Sequence, residues 1–303
     1  MLLEAFFDLH YRPRKLHGKS QSAVRLYRVL FSNFARTLGR KPMIQDLTNE
    51  RVQEHMQRLL DLGRARATAN RDRCSLVALW RYAAQLKMLD SWPDVPKEPE
   101  PQRAPQAWLR EDIDLLFKAV GELEGNLRGT DVPWSLWFEL LIRMMLDTGE
   151  RVGAIREARW TWFERGSLLV PAEFRKGGKR DKYFPLSRET VELLSQMRKI
   201  SCDKTNVFVW TYSKTYLWNR YKKLVESSGL PSGRQSQTHR LRKTHASVAH
   251  AAGLDAQKLL DHSSARTTAR YIDARFATEV KPSDVLAAWL RTPPVAPEIR
   301  KQA

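Results

Sequence analysis

Residues 262–275, HSSARTTARYIDAR, carry one His, three Arg and a single Tyr nine positions after the His, with few apolar side chains among them. Three other stretches hold side chains of matching chemistry. TGERVGA carries Arg151 just after Gly149. The basic RKGGKRD offers Lys176 and Lys179. THRLRKTHAS sets His239 and Arg242 three residues apart, on one face of a helix. Together these groups suit transfer of a phosphodiester. Planar guanidinium groups hold non-bridging phosphate oxygens bidentately. A nucleophile must attack phosphorus, and the departing 5′ oxygen must receive a proton. A Tyr phenol is ionised in only about one molecule in 10³ at pH 7, so as a nucleophile it needs cations or a base beside it. Two Arg, one or two proton carriers and one Tyr make the minimum set.

Other chemistries lack their residues. No GxxxxGK[ST] is present, since RKGGKRD lacks the leading Gly and the closing Ser or Thr. No GxGxxG follows a strand pattern and no HExxH occurs. Acidic residues are scattered, with no evident cluster for Mg²⁺. The two cysteines, Cys74 and Cys202, and the seven histidines make no zinc spacing. Chemistry on phosphates is therefore expected to need no metal, with cationic side chains doing the work of one.

The four stretches, in their order, resemble the tyrosine recombinases of the phage-integrase type. That family reads roughly TGxRxxE, then a hairpin Lys, then HxLRHTxA, then LGHxSxxTTxxYxH. This chain has TGERVGA, RKGGK, HRLRKTHAS and LLDHSSARTTARY. The resemblance implies that Arg151 and Arg242 bind the scissile phosphate and that Lys176, or else Lys179, is the general acid for the 5′ oxygen. It implies that His239 and His262 move protons and hold the phosphate. Tyr271 would attack, forming a 3′-phosphotyrosyl link that conserves bond energy, so strands are religated without ATP. Three positions depart from the family pattern. Its acidic residue three places after the first Arg is Ala154 here, and Glu150 and Glu157 would point elsewhere on a helix. Its Gly before the second His is Asp261, and Lys243 stands where a His is common.

Elements must bring these residues together. Residues 91–107, SWPDVPKEPEPQRAPQA, hold five prolines and read as an extended linker. Before it, residues 1–90 read as helices: Val24, Tyr27, Phe31, Phe34 and Leu38 share one face, and Leu76, Leu79, Trp80, Ala83 and Leu86 another. Thr48 is a candidate N-cap, and Gly39 and Gly63 are candidate stops. Residues 108–303 read as further helices around one strand pair, GSLLVPAEF and KYFPLS. The expected fold is mainly α with a small β-sheet. By the resemblance it is an N-terminal helical core-binding (SAM-like) domain joined to an α+β tyrosine-recombinase catalytic domain. That pair would clamp duplex DNA in a C shape, with no arm-site-binding domain before it. The helix SDVLAAWL and the tail would dock on a neighbouring protomer.

Charge names the partner. Lys plus Arg number 52 against 34 Asp plus Glu, a formal net charge of +18, and both parts of the chain are basic. Such a field suits a polyanion. The longest apolar run, FELLIRMML, is short and contains Arg143, so no membrane span is expected and duplex DNA leads. Arg64, Arg66, Arg71 and Arg73 cluster at a helix start and, with Lys179, are candidate phosphate contacts. The expected protein is a cytoplasmic, nucleoid-associated recombinase that acts as a homotetramer on two DNA sites. It would integrate or excise a mobile element, with an accessory directionality factor or a host DNA-bending protein as a further partner. The alternatives are a Xer-like dimer-resolving recombinase, a catalytically impaired DNA-binding relative and a type IB topoisomerase.

Overall fold

The structure is a computed structural model that describes residues 1–18, 21–175, 177 and 180–276. Lys176, Lys179 and the C-terminal helix and tail lie outside the described residues. The chain separates into two compact units, Met1–Gln102 and Arg103–Ala303.

The first unit is helical. Short helices α1 (Leu3–Phe6) and α2 (Arg12–Lys15) flank a π-helical turn, Phe7–Tyr11. Three longer helices follow, α3 (Gln21–Leu38), α4 (Asn49–Asp61) and α5 (Arg66–Gln85). Thr48 starts α4 by accepting from Arg51 N at 3.3 Å. Gly63, with φ of +70°, turns the chain out of that helix, a conformation that needs no Cβ. Helix α5 buries Ala69, Leu76, Leu79, Trp80 and Ala83 on one side. They meet Leu30, Phe31 and Phe34 of α3 and Val52, Met56 and Leu59 of α4. Leu3, Phe6, Phe7 and Tyr11 complete this core, so the apolar N-terminal stretch is a structural element. Each such side chain contributes about 1.5–3 kcal/mol when fully buried.

Much of the proline-rich stretch is held down. Val95 is buried, and Arg73 donates from Nε and Nη2 to its carbonyl. Asn70 bonds the Glu98 backbone in both directions at 2.9 Å, and Arg66 reaches the Pro99 carbonyl at 3.0 Å. Residues 101–106, which span the boundary between the two units, carry no hydrogen bond among the described residues.

The second unit has α6 (Arg110–Gly121), α7 (Trp134–Thr148), α8 (Val152–Arg156), a small sheet, and then α9 (Arg188–Ile200), α10 (Lys214–Ser227), α11 (His239–Ala251), α12 (Ala256–Leu260) and α13 (Ala265–Ala269). Helix α7 is apolar nearly all round, with Trp137, Leu140, Leu141, Ile142 and Met144 fully buried, as a central helix should be. Strands β1 (Phe163–Glu164), β2 (Ser167–Val170) and β3 (Lys182–Pro185) form an antiparallel meander. The register pairs Leu168 with Phe184 and Val170 with Lys182. The sheet has one strand more than the expected pair, since β1 is too short to show alternation. The fold is mainly α with a small sheet.

Candidate active site

Five of the six residues singled out for chemistry are described, and they converge in the second unit. Helix α11 presents His239 at its first turn and Arg242 one turn on. The Tyr271 hydroxyl lies 2.7 Å from His239 Nε2. The His262 and Tyr271 rings are 4.8 Å apart, and the Arg242 guanidinium sits 5.6 Å from the Tyr271 ring centre. Tyr271 is fixed through its backbone. Its N–H donates to Thr268 O at 2.7 Å. Its carbonyl accepts from Ser247 Oγ at 3.2 Å, and that hydroxyl in turn accepts from Asp273 N at 2.9 Å. Ser247 lies two turns along α11 from His239, so one helix sets both ends of the Tyr–His contact.

Arg242 is only 1% exposed. It donates to the Gly149 carbonyl, and to the Leu260 carbonyl at 3.0 Å. Its Nη2 is 3.4 Å from His262 Nε2. A guanidinium can only donate, so that ring nitrogen accepts. Nδ1 of His262 then carries the proton and donates to Thr268 Oγ1 at 3.1 Å. Both site histidines are neutral at pH 7. Burial, then Arg242 and Arg151, push His262 down to about 4. His239 is exposed, yet loss of water around the ring, Arg242, Arg151, Lys243 and His262 push it down to about 4 as well. A neutral imidazole beside a phenol can accept its proton.

Arg151 is the N-cap residue of α8, in extended conformation, and is half-buried. With His262 and Arg175 it lines a cleft of about 690 Å³. No hydrogen bond or ion pair engages its guanidinium among the described residues. A cation left free beside a buried Arg242 is suited to an anion from outside. Among the described residues, no group of three or more His, Cys, Asp or Glu could hold a metal ion.

The expected acid at position 154 is absent, and Ala154 is buried in the core. Glu150 supplies a carboxylate instead, although a helical reading pointed it elsewhere. It lies in the break between α7 and α8, outside any helix, and there it is 1% exposed. Glu150 Oε2 accepts from Arg151 N at 3.0 Å and lies 3.9 Å from Arg242 Nη1. Its Oε1 accepts from Arg175 Nε at 2.8 Å. Arg175 also pairs with Asp261, the residue in place of the family's Gly. Asp261 keeps a left-handed backbone, φ +50°, as a Gly would. Burial disfavours its charge, but Arg175, Arg180 and Lys182 outweigh that and hold it down to about 2.

Comparisons with known proteins give the family and the fold. The Phage integrase family model matches residues 114–278, more than half of the chain. The chain belongs to the phage integrase family. A "Probable integrase/recombinase" of Acholeplasma phage L2 is 24% identical over an alignment of 188 residues that covers 59% of this chain and 61% of that relative. Among solved structures, a lambda integrase dimer bound to a COC′ core site matches with a TM-score of 0.72 at 19% identity, covering 93% of this chain and 99% of that one. The Tn1549 transposon integrase in complex with circular intermediate DNA matches at 0.67 and 15%, covering 95% and 99%. At these identities the likeness concerns the fold. This member of the phage integrase family has the tyrosine-recombinase fold, and no helix among its described residues is long and apolar enough to cross a membrane.

The candidate DNA contacts divide into two groups. Arg64 and Arg71 line a cleft of about 430 Å³ in the first unit together with Arg36 and Arg58. Those two partners come from the polar faces of α3 and α4, where sequence offers no mark to separate them from a solvated surface. Arg66 and Arg73 instead brace the proline-rich stretch.

Proposed function

We propose that this integrase is a site-specific tyrosine recombinase that cleaves and rejoins duplex DNA through a 3′-phosphotyrosyl intermediate. The contact between Tyr271 and neutral His239, beside Arg242, is the observation that carries the reading. Arg151 and Arg242 hold the non-bridging oxygens of the scissile phosphate, one from the cleft and one from below. The anion offsets the positive field that depresses His239, so His239 becomes more basic once DNA is bound. Tyr271 Oη attacks phosphorus as its proton passes to His239. The P–O5′ bond breaks, and the 5′ oxygen takes a proton from Lys176. His262, fixed by Arg242 and Thr268, hydrogen-bonds the phosphate. The reverse steps, with a 5′ hydroxyl from the partner strand, rejoin the DNA without metal or ATP.

The same reading makes the active form a homotetramer on two sites, with Arg64 and Arg71 touching phosphates, in a cytoplasmic, nucleoid-associated protein. Integration or excision of a mobile element is the activity it favours, with or without a DNA-bending or directionality partner. A nicked suicide duplex built on the sequence that the protein selects from a random pool gives the test. Wild type is expected to accumulate a covalent protein–DNA adduct, and Tyr271→Phe to form none while binding unchanged. An adduct with the Phe variant refutes the nucleophile assignment. Binding by wild type without any adduct identifies a catalytically impaired DNA-binding relative.

A further inference from the structure

The ion pairs of Arg175 have a regular relation to the candidate catalytic residues. Glu150 immediately precedes Arg151. Arg175 immediately precedes Lys176. Asp261 immediately precedes His262. These three residues come from the end of α7, the β2–β3 hairpin and the end of α12, far apart in sequence. In the folded chain they form one charge cluster. Arg175 Nε and Nη2 reach Glu150 Oε1 at 2.8 and 2.6 Å, and Nη2 also reaches Asp261 Oδ2. Arg175 also donates from Nη1 to the Arg180 carbonyl at 3.4 Å, across the base of its own hairpin. The side chains of Arg175 and Glu150 are 6% and 2% exposed, and that of Asp261 is 21%. Glu150 closes the group onto the site by accepting from Arg151 N and by facing Arg242.

We infer that Glu150, Arg175 and Asp261 form a hub that fixes the mutual register of the segment carrying Arg151, the base of the β2–β3 hairpin and the segment carrying His262. They are positioning residues: none is assigned to substrate, and each is one peptide bond from a group that is. This inference rests on the catalytic reading given above.

The physical case has two parts. Dehydrated ion pairs are poor sources of net stability but are intolerant of misplacement, because a carboxylate or guanidinium left unpaired in the interior is costly. A forked guanidinium between two carboxylates therefore admits one arrangement of three backbones. Asp261 supplies the second part. A non-Gly residue in the left-handed region is strained relative to Gly. Gly would suit the backbone of position 261 better than Asp does, so backbone geometry does not account for Asp. Its side-chain contacts to Arg175, Arg180 and Lys182 do.

This separates a positioning role from a structural one. Asp261→Gly removes the hub contact and relaxes the backbone at once. Arg175 keeps Glu150 as its partner and the relaxed backbone offsets the lost pair, so the melting temperature is expected to stay close to that of wild type, and the dissociation constant for the selected duplex to stay within about two-fold. The single-turnover rate of Tyr271-dependent adduct formation should fall roughly ten- to hundred-fold, the scale of loss from ångström misplacement of reacting groups. Arg175→Lys keeps the charge but loses the fork, and should show the same split between binding and rate. A wild-type rate in Asp261→Gly, or a loss explained by weaker binding or a lower melting temperature in both variants, overturns the hub alone. A wild-type protein that gives no Tyr271-dependent adduct overturns both the hub and the catalytic reading.

Discussion

At the scale of single residues, the site is defined by protonation as much as by position. His239 and His262 are both pushed down to about 4, from an ordinary value near 6.5. Between these limits the unfolded chain binds more protons than the folded one, so stability falls as pH drops through that window. The melting temperature is expected to decline between about pH 6.5 and pH 4, and to decline less in a His239→Asn/His262→Asn variant; equal slopes would show that the histidines are not the source. The histidines, Arg151, Arg242 and Tyr271 were legible because their spacings match a known series and because the chemistry needs each type. Glu150 was present in TGERVGA but not readable. Its direction depends on the break between α7 and α8, and a helical reading turns it away. Arg175 and Asp261 were hidden for another reason: a long-range pair between positions 175 and 261 leaves no local pattern.

At the scale of elements, the junction between α7 and α8 is the least tolerant point. Gly149 ends α7 with φ of +62°, and its carbonyl accepts from Arg242. A Cβ there would stand 2.4 Å from His245 Cδ2. His245 cannot easily withdraw, since its Nδ1 donates to the Leu146 carbonyl at 2.7 Å at the end of α7. Left-handed strain and overlap together make Gly149→Ala expected to cost about 2–4 kcal/mol. Chemical denaturation would read that loss, and a variant as stable as wild type would contradict the packing described. The helices themselves were largely legible, since the faces of α3 and α5 follow a period near 3.6 and the caps at Thr48 and Gly63 are local signals. The elements that escaped are short. Two-residue β1 has no periodicity to show, and Leu3–Lys15 is interrupted by a π-helical turn that shifts the apolar face.

At the scale of the whole molecule, the excess of positive charge sets how the protein meets DNA. Affinity for duplex should fall steeply with salt, in proportion to the phosphates neutralised. Arg64→Ala and Arg71→Ala should each reduce the slope of log K against log salt by about 1. Arg73→Ala should leave the slope unchanged and instead lower the stability of the first unit by about 1–2 kcal/mol, because its guanidinium serves the Val95 carbonyl. An altered slope in Arg73→Ala would contradict that division. Composition pointed to a polyanion but not to which arginines would face it, since a guanidinium committed to a backbone carbonyl has the same sequence signature as one that lines a cleft. The point where the chain enters the second unit has its own consequence. Ala107 N donates to Asp273 Oδ2 at 2.7 Å, and the Ala107 carbonyl accepts from Arg240 and Arg275. Asp273 N is bonded to the same Ser247 hydroxyl that holds the Tyr271 carbonyl. Residues 101–106 therefore end at a backbone position bonded on both its N–H and its carbonyl. The Ala107 N–H is thus joined to the Tyr271 carbonyl through Asp273 and the Ser247 hydroxyl, so loss of the Asp273 carboxylate would free the segment that leads into α6 from the relay that holds the candidate nucleophile.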